Sequence, residues 1–151
     1  MELRDASVAD VDELSRIAYA SKAHWGYDVA FMRACRGELT VCAEDLSRAV
    51  VRVAEQHDGV VGFHGVAPYA GDIVELTWLF VAPAAMGHGA GRALLADAVS
   101  VARRSGARAL HIESDPHAVG FYERAGARRT GTVPSASIPG RALPALELAI
   151  V

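Results

Sequence analysis

Three glycines at alternate positions, Gly87, Gly89 and Gly91, separate a run that reads as a strand, Val74-Glu75-Leu76-Thr77-Trp78-Leu79-Phe80-Val81, from a stretch that reads as a helix. A chain that turns through Ala82-Pro83 and then Met86-Gly87-His88-Gly89-Ala90-Gly91-Arg92 leaves backbone N–H groups unscreened at the positive end of the helix dipole. Such a turn suits a phosphorylated ligand. Two common phosphate loops do not fit it. A P-loop needs Lys and then Ser or Thr after its last glycine, where this chain has Arg92-Ala93. The dinucleotide fingerprint needs a third glycine three residues after the second, and those positions hold Arg92 or Leu94.

The rest of the chain supplies the elements around this turn. Met1 to Arg4 can form an edge strand, and Ser7 with Asp10 has the pattern of a helix N-cap with an acidic partner. Val8, Val11, Leu14, Ile17 and Ala18 then recur at helical spacing up to about Ala20. A second helix is expected from about Asp28 to Glu38, and a helical turn at Glu44-Asp45-Leu46. Ala49 to Glu55 and Val60 to Ala67 read as strands joined by a hairpin at His57-Asp58-Gly59, with a further turn through Pro68-Tyr69-Ala70-Gly71-Asp72. After the glycines, Leu94, Leu95, Ala98, Val101 and Ala102 mark a helix that Gly106 stops. Ala107 to Glu113 is a strand, Ala118 to Ala125 a helix, and Arg128 to Val133 with Leu143 to Ile150 a final strand pair. Between those last two, Pro134 to Gly140 is a loop. His64, in mid-strand, has no second ligand residue at metal spacing and reads as a core or sheet-face histidine.

The glycine spacing after a strand ending Leu79-Phe80-Val81-x-Pro83 resembles the pyrophosphate loop of the GNAT superfamily of N-acetyltransferases, which bind acetyl-CoA. Met86 stands where members of that family usually carry Gln or Arg. A second segment, Ser114-Asp115-Pro116-His117-Ala118-Val119-Gly120-Phe121-Tyr122-Glu123-Arg124-Ala125-Gly126, resembles the family's Phe-Tyr-Glu helix, with His117 in place of a frequent asparagine. The order of elements resembles the family's over essentially the whole chain. It implies one α/β domain spanning 1–151, with a mixed, mostly antiparallel seven-stranded sheet flanked by four helices in the order β-α-α-β-β-β-α-β-α-β-β.

Acetyl transfer from a thioester to an amine requires that the amine lose a proton, that the carbonyl oxygen be stabilised, and that the departing thiolate be neutralised. By the resemblance, Leu79, Phe80 and Val81 hold the pantetheine arm through their backbone. Met86, Gly87, His88, Gly89, Ala90 and Gly91 bind the pyrophosphate, and Arg92 adds charge. Asp115 and Phe121 lie near the arm and the thiol end. Tyr122 is the candidate proton donor to the thiolate, since a phenol of pKa near 10 can protonate it when positioned by a hydrogen bond. Glu75 is the candidate base: it interrupts an apolar strand, and strand alternation puts it on one face with Thr77 and Leu79. The same residues also admit structural readings, with Glu75 facing solvent and Phe121-Tyr122 forming a buried aromatic pair.

The segment joining the first two helices covers the acceptor pocket in this family, which makes His24, Trp25 and Tyr27 candidates for its lining, together with Tyr69. Aromatic walls favour a small amphipathic or cationic amine as acceptor. A different class of function stays open, a catalytically inactive acyl-CoA-binding sensor or partner module, for which Met86 and His117 are the supporting departures.

Totals set the remaining expectations. A length of 151 residues with 52% hydrophobic composition suits one well-buried domain. A net charge of −3 argues against a nucleic-acid partner bound through a basic surface, despite the local clusters Arg103, Arg104, Arg108 and Arg128-Arg129. Cys35 and Cys42, without CxxC spacing, indicate neither a disulfide framework nor a zinc site and fit a cytoplasmic protein. No apolar run approaches the roughly 18 residues that span a bilayer, so no membrane partner is expected. Pairing of two copies through the terminal strands is the expected route to a homodimer.

Overall fold

The computed structural model describes residues 1–151 and gathers seven strands into one sheet. The chain runs through β1 (Glu2–Asp5), α1 (Val11–Ala23), α2 (Val29–Cys35), α3 (Asp45–Arg48), β2 (Val50–Gln56), β3 (Gly59–Ala70) and β4 (Ile73–Val81). It continues through α4 (Ala90–Arg104), β5 (Ala109–Glu113), α5 (Val119–Arg124), β6 (Arg128–Pro134) and β7 (Ala142–Ala149). The sheet order is β1-β2-β3-β4-β5-β7-β6, with β4 and β5 as the parallel pair and the rest antiparallel. The expected order is present. The turn at Glu44 to Leu46 closes as the four-residue α3, which makes five helices where four were expected.

Local chemistry sets most element ends. The Asp10 carboxylate accepts the Ser7 N–H at 2.7 Å, and Asp28 caps α2 by accepting the Phe31 N–H at 2.8 Å. A 3-10 turn over Val8–Asp10 precedes α1 and swings Val8 out of the predicted stripe, leaving it 62% exposed. The last turn of α2 tightens through an Arg36 N–H to Arg33 C=O bond, so α2 ends at Cys35 and not at Glu38.

Each face of the sheet has its own core. Leu14, Ile17 and Ala18 of α1 and Met32 and Cys35 of α2 bury one face against Val51, Val53 and Phe63. Leu95, Ala98 and Val101 of α4 cover the other, with Leu110, Ile112, Leu146 and Tyr122. His64 is fully buried on the α4 side, 2.8 Å from Asp97, which also holds Arg52 at 3.0 Å. That histidine is structural, as its lone position in a strand suggested.

Two bulges re-aim β3 and β4. Pro68, Tyr69 and Ala70 belong to β3 and not to the expected turn, which shrinks to Gly71-Asp72; Tyr69 is the extra residue where Pro68 faces Val74 and Ala70 faces Ile73. A proline beside a bulge costs the ladder little, because the pairing there is already interrupted. On β4, Gly65 faces Trp78 while Val66 faces Leu76, so Thr77 is an inserted residue. The insertion shifts side-chain parity. Leu79 packs with Leu76 in the α4-side core, whereas Trp78 and Phe80 pack in the α1-side core. Glu75, one residue from Val74 and Leu76, shares the α1 side with Trp78. The expected common face of Glu75, Thr77 and Leu79 therefore does not exist, because simple alternation fails across a bulge.

Gly65 makes this bulge possible. A Cβ there would lie 2.8 Å from Trp78 Cε3 and against the Thr77 hydroxyl. Gly65→Ala is expected to lower stability by about 1–3 kcal/mol through overpacking. Urea unfolding followed by tryptophan fluorescence measures it, and an unchanged midpoint would show that the bulge accommodates a side chain.

Candidate active site

Beyond Glu75 the edge of β4 that faces β5 has no strand partner, since the parallel ladder covers only Ile73, Val74 and Glu75 against Ala109, Leu110 and His111. The two strands diverge. A cavity of about 500 Å³ opens in the gap. Side chains from both faces of the sheet reach it: Lys22, Trp25 and Leu39 from the α1–α2 side, Ala118 just before α5 and Tyr122 within it, and Glu75 with Trp78 from β4.

Tyr122 is 7% exposed. Its hydroxyl has no hydrogen-bond partner in the protein, and it is not one of the two enclosed orphan atoms, His64 Nδ1 and Thr77 Oγ1. The phenol oxygen therefore faces the cavity. Burial pushes its pKa well above the ordinary 10.0, so the group keeps its proton at any working pH. Glu75 lines the same cavity, half-buried. Burial first, and then the nearby charge of Glu113, raise its carboxyl above 4.5, with His111 opposing. His111 in turn lies 2.9 Å from Glu113 and stacks on Tyr69 at 4.1 Å.

The glycine turn lies where the splayed edge of β4 ends. Gly87 and Gly89 adopt φ of +80° and +87°, conformations that side chains with a Cβ resist. No carbonyl or side chain of the protein accepts from the N–H groups of Gly87 through Arg92. Six consecutive donors are thus unpaired at the start of the 15-residue α4. A Cβ on Gly91 would lie 3.4 Å from the Phe121 ring, and Phe121 meets Tyr122 edge-on at 5.1 Å. Phe121 therefore links the donor row, by direct packing, to Tyr122 at the cavity wall.

A profile of the acetyltransferase (GNAT) family matches residues 12–127. The chain belongs to the GNAT family of acetyltransferases. Solved structures share this GNAT fold along nearly their whole length. PaiA N-acetyltransferase of Thermoplasma acidophilum, in complex with coenzyme A, is 18% identical over 98% of each chain, with a TM-score of 0.78. The yncA protein of Salmonella typhimurium, solved with its cofactor acetyl-CoA, is 25% identical over 100% of this chain and 94% of that one, with a TM-score of 0.71. The ribosomal-protein-S18-alanine N-acetyltransferase of Escherichia coli is 18% identical over 99% and 93%, with a TM-score of 0.72. No curated protein is a significant match in sequence. No helix of this GNAT protein is long and apolar enough to cross a membrane.

The expected acceptor residues divide. Trp25 lines the cavity and stacks on His117 at 4.9 Å. His24 is exposed, meets Trp25 edge-on and is outside the lining, while Tyr69 lies over His111, also outside it. Tyr27 is displaced from the wall for a different reason. Its hydroxyl donates to Asp115 at 2.8 Å and accepts from Arg141 at 2.7 Å. Asp115 also takes the His117 N–H at 2.9 Å and Lys22 at 3.3 Å. Burial alone would raise the Asp115 carboxyl, but those donors hold it down at about 2. Asp115 thus serves as the hub that ties the α1–α2 corner, the β5–α5 turn and the β6–β7 loop together at one end of the cavity.

Sequence reading overlooked Lys22, Arg141, Glu38 and Glu113. Lys22 sits on the buried side of α1 at 9% exposure, an unusual place for lysine, and that misfit with the helix pattern was the available signal. Arg141 carries no such signal, because it lies in a breaker-rich loop and only tertiary folding brings it over Tyr27 and Phe31, at 5.2 and 4.9 Å from their ring centres.

Proposed function

We propose that this acetyltransferase uses acetyl-CoA to acetylate the primary amine of a small acceptor by direct transfer. One observation carries this reading: an unpartnered buried phenol and a carboxyl of raised pKa line one cavity, and the helix bearing the phenol packs through Phe121 against a turn of unpaired N–H groups. The coenzyme A and acetyl-CoA held by the PaiA and yncA structures support acetyl-CoA as co-substrate. The N–H groups of Gly87, His88, Gly89, Ala90 and Gly91 face its pyrophosphate, with Arg92 adding positive charge, whereas the Met86 N–H expected to join them is held by the Pro83 carbonyl at 3.3 Å. The free edge of β4 at Leu79, Phe80 and Val81 pairs with the pantetheine arm and polarises the thioester carbonyl. Phe121 supports the loop from beneath Gly91, and Asp115 fixes the far end of the cleft.

Glu75 takes a proton from the acceptor ammonium. The freed amine attacks the thioester carbon, forming the C–N bond as the carbonyl oxygen gains charge. The C–S bond then breaks, the thiolate takes the Tyr122 proton, and the proton still on nitrogen returns Tyr122 to its phenol form. Glu75 releases its own proton to solvent. Burial weakens the phenol as an acid, and desolvation of the thiolate beside it raises that group's affinity for the proton as well, which offsets the cost to the transfer. No observed feature favours the inactive-module alternative.

Calorimetry with acetyl-CoA, followed by thiol release on a panel of amines, tests the reading; binding without release on every amine would sink it. Glu75→Gln gives a second test. A base of raised pKa acts only above that pKa, so wild-type activity climbs with pH through it, and the variant loses that limb. We expect a deficit of about 100-fold near neutrality that narrows towards pH 10, where the amine sheds its own proton. An equal deficit at all pH values would assign Glu75 to binding.

A further inference from the structure

The cavity wall carries more negative charge than the transfer chemistry requires. Glu38, Asp45, Glu75, Glu113 and Asp115 line it, against Lys22 and Arg48. The charge of Lys22 is neutralised by Asp115, 3.3 Å away, which Arg141 also approaches at 3.5 Å. Arg48, exposed like Glu38, offsets one carboxylate and leaves the wall negative. Glu113 pairs only with His111. Glu38 and Glu75 make no ion pair in the protein, and they come from separate elements, the chain just after α2 and β4. Trp25 and Trp78 add aromatic faces to the same cavity. Carboxylates held apart around a partly enclosed space repel one another and raise the local concentration of cations.

A second feature gives the acidic wall its orientation. The Tyr122 phenol is more than nine-tenths buried, has no partner, and opens into the same cavity. It marks where the reacting thioester ends, so the carboxylates on the α1–α2 side face whatever receives the acetyl group. We propose that the acceptor is a flexible compound with at least two ammonium groups, one deprotonated by Glu75 while another is held by Glu113 or Glu38. This rests on the acetyl-transfer reading above. A single ammonium would leave the outer carboxylates unanswered, whereas a second one spaced along a short chain meets them and fixes the reacting nitrogen in place.

The test compares 1,5-diaminopentane with n-pentylamine, which share chain length and a primary amine but differ in the second charge. With purified protein and acetyl-CoA, thiol release is expected to give the diamine at least a tenfold advantage in kcat/KM, shrinking as sodium chloride is raised from about 0.01 to 0.5 M. Glu38→Gln, at an exposed position, is expected to raise KM for the diamine several-fold, leaving kcat and the n-pentylamine reaction as they were. Equal kcat/KM for the two amines overturns the proposal, as does an advantage that ignores salt. Heat on binding acetyl-CoA with neither amine acetylated also overturns it, and leaves the coenzyme assignment standing. Absence of that heat removes the acetyl-transfer reading itself.

Discussion

Tyr122→Phe is expected to reduce kcat by about 100- to 1,000-fold while calorimetric affinity for acetyl-CoA stays within about threefold of wild type. The substitution removes one oxygen from a side chain whose ring packs in the α4-side core but whose hydroxyl touches no protein atom as a partner. Folding therefore loses no hydrogen bond, and the cavity keeps its shape. What disappears is the proton donor that the proposed mechanism assigns to the thiolate. Because burial keeps the phenol protonated, the wild-type donor is present at every pH, so the defect should be equally deep from pH 6 to 9. A profile measured with the variant separates this from the loss of a base. Retention of more than a third of wild-type turnover would show that the thiolate is neutralised by another group.

Gly89→Val is expected to weaken acetyl-CoA binding by about 100-fold or more, with fold stability reduced by only about 1–3 kcal/mol. Gly89 has φ +87° at the head of α4, and a β-branched residue is strongly disfavoured there. The turn must rotate to admit it. That rotation re-aims the N–H groups around it, which hold no other part of the protein and which the proposed function directs at the diphosphate. The position is exposed, so the core is untouched. Calorimetry and urea unfolding on the same preparation separate the two effects, and wild-type affinity in a folded variant would refute a diphosphate site at this turn.

The glycine turn was legible in the sequence because its signal is local: alternate glycines between an apolar strand and an amphipathic helix have few other uses. Tyr122 was legible for a similar reason, lying in a short motif at a fixed place in the order of elements. Glu75 was found as an interruption in an apolar strand, but its facing was misread. The Thr77 insertion depends on what Gly65 allows on the neighbouring strand, and no pattern within β4 reveals it. Tyr27 was placed at the acceptor wall because the segment joining the first two helices covers that pocket in the family, and the structure turns it towards Asp115 and Arg141, partners 88 and 114 residues away in the chain.

By itself the sequence determined the order of elements, the buried stripes of α1 and α4, and the turn with its free backbone donors. These follow from periodicity and from the conformational freedom of glycine, both of which act over a few residues. Only the tertiary structure decided that β4 and β5 part company after Glu75 and that an acidic wall surrounds the opening. It also decided that Lys22 and Arg141 are held by one aspartate. Those outcomes depend on strand register and on charges brought together across the fold, where the energy of each group is set by neighbours that sequence distance does not record.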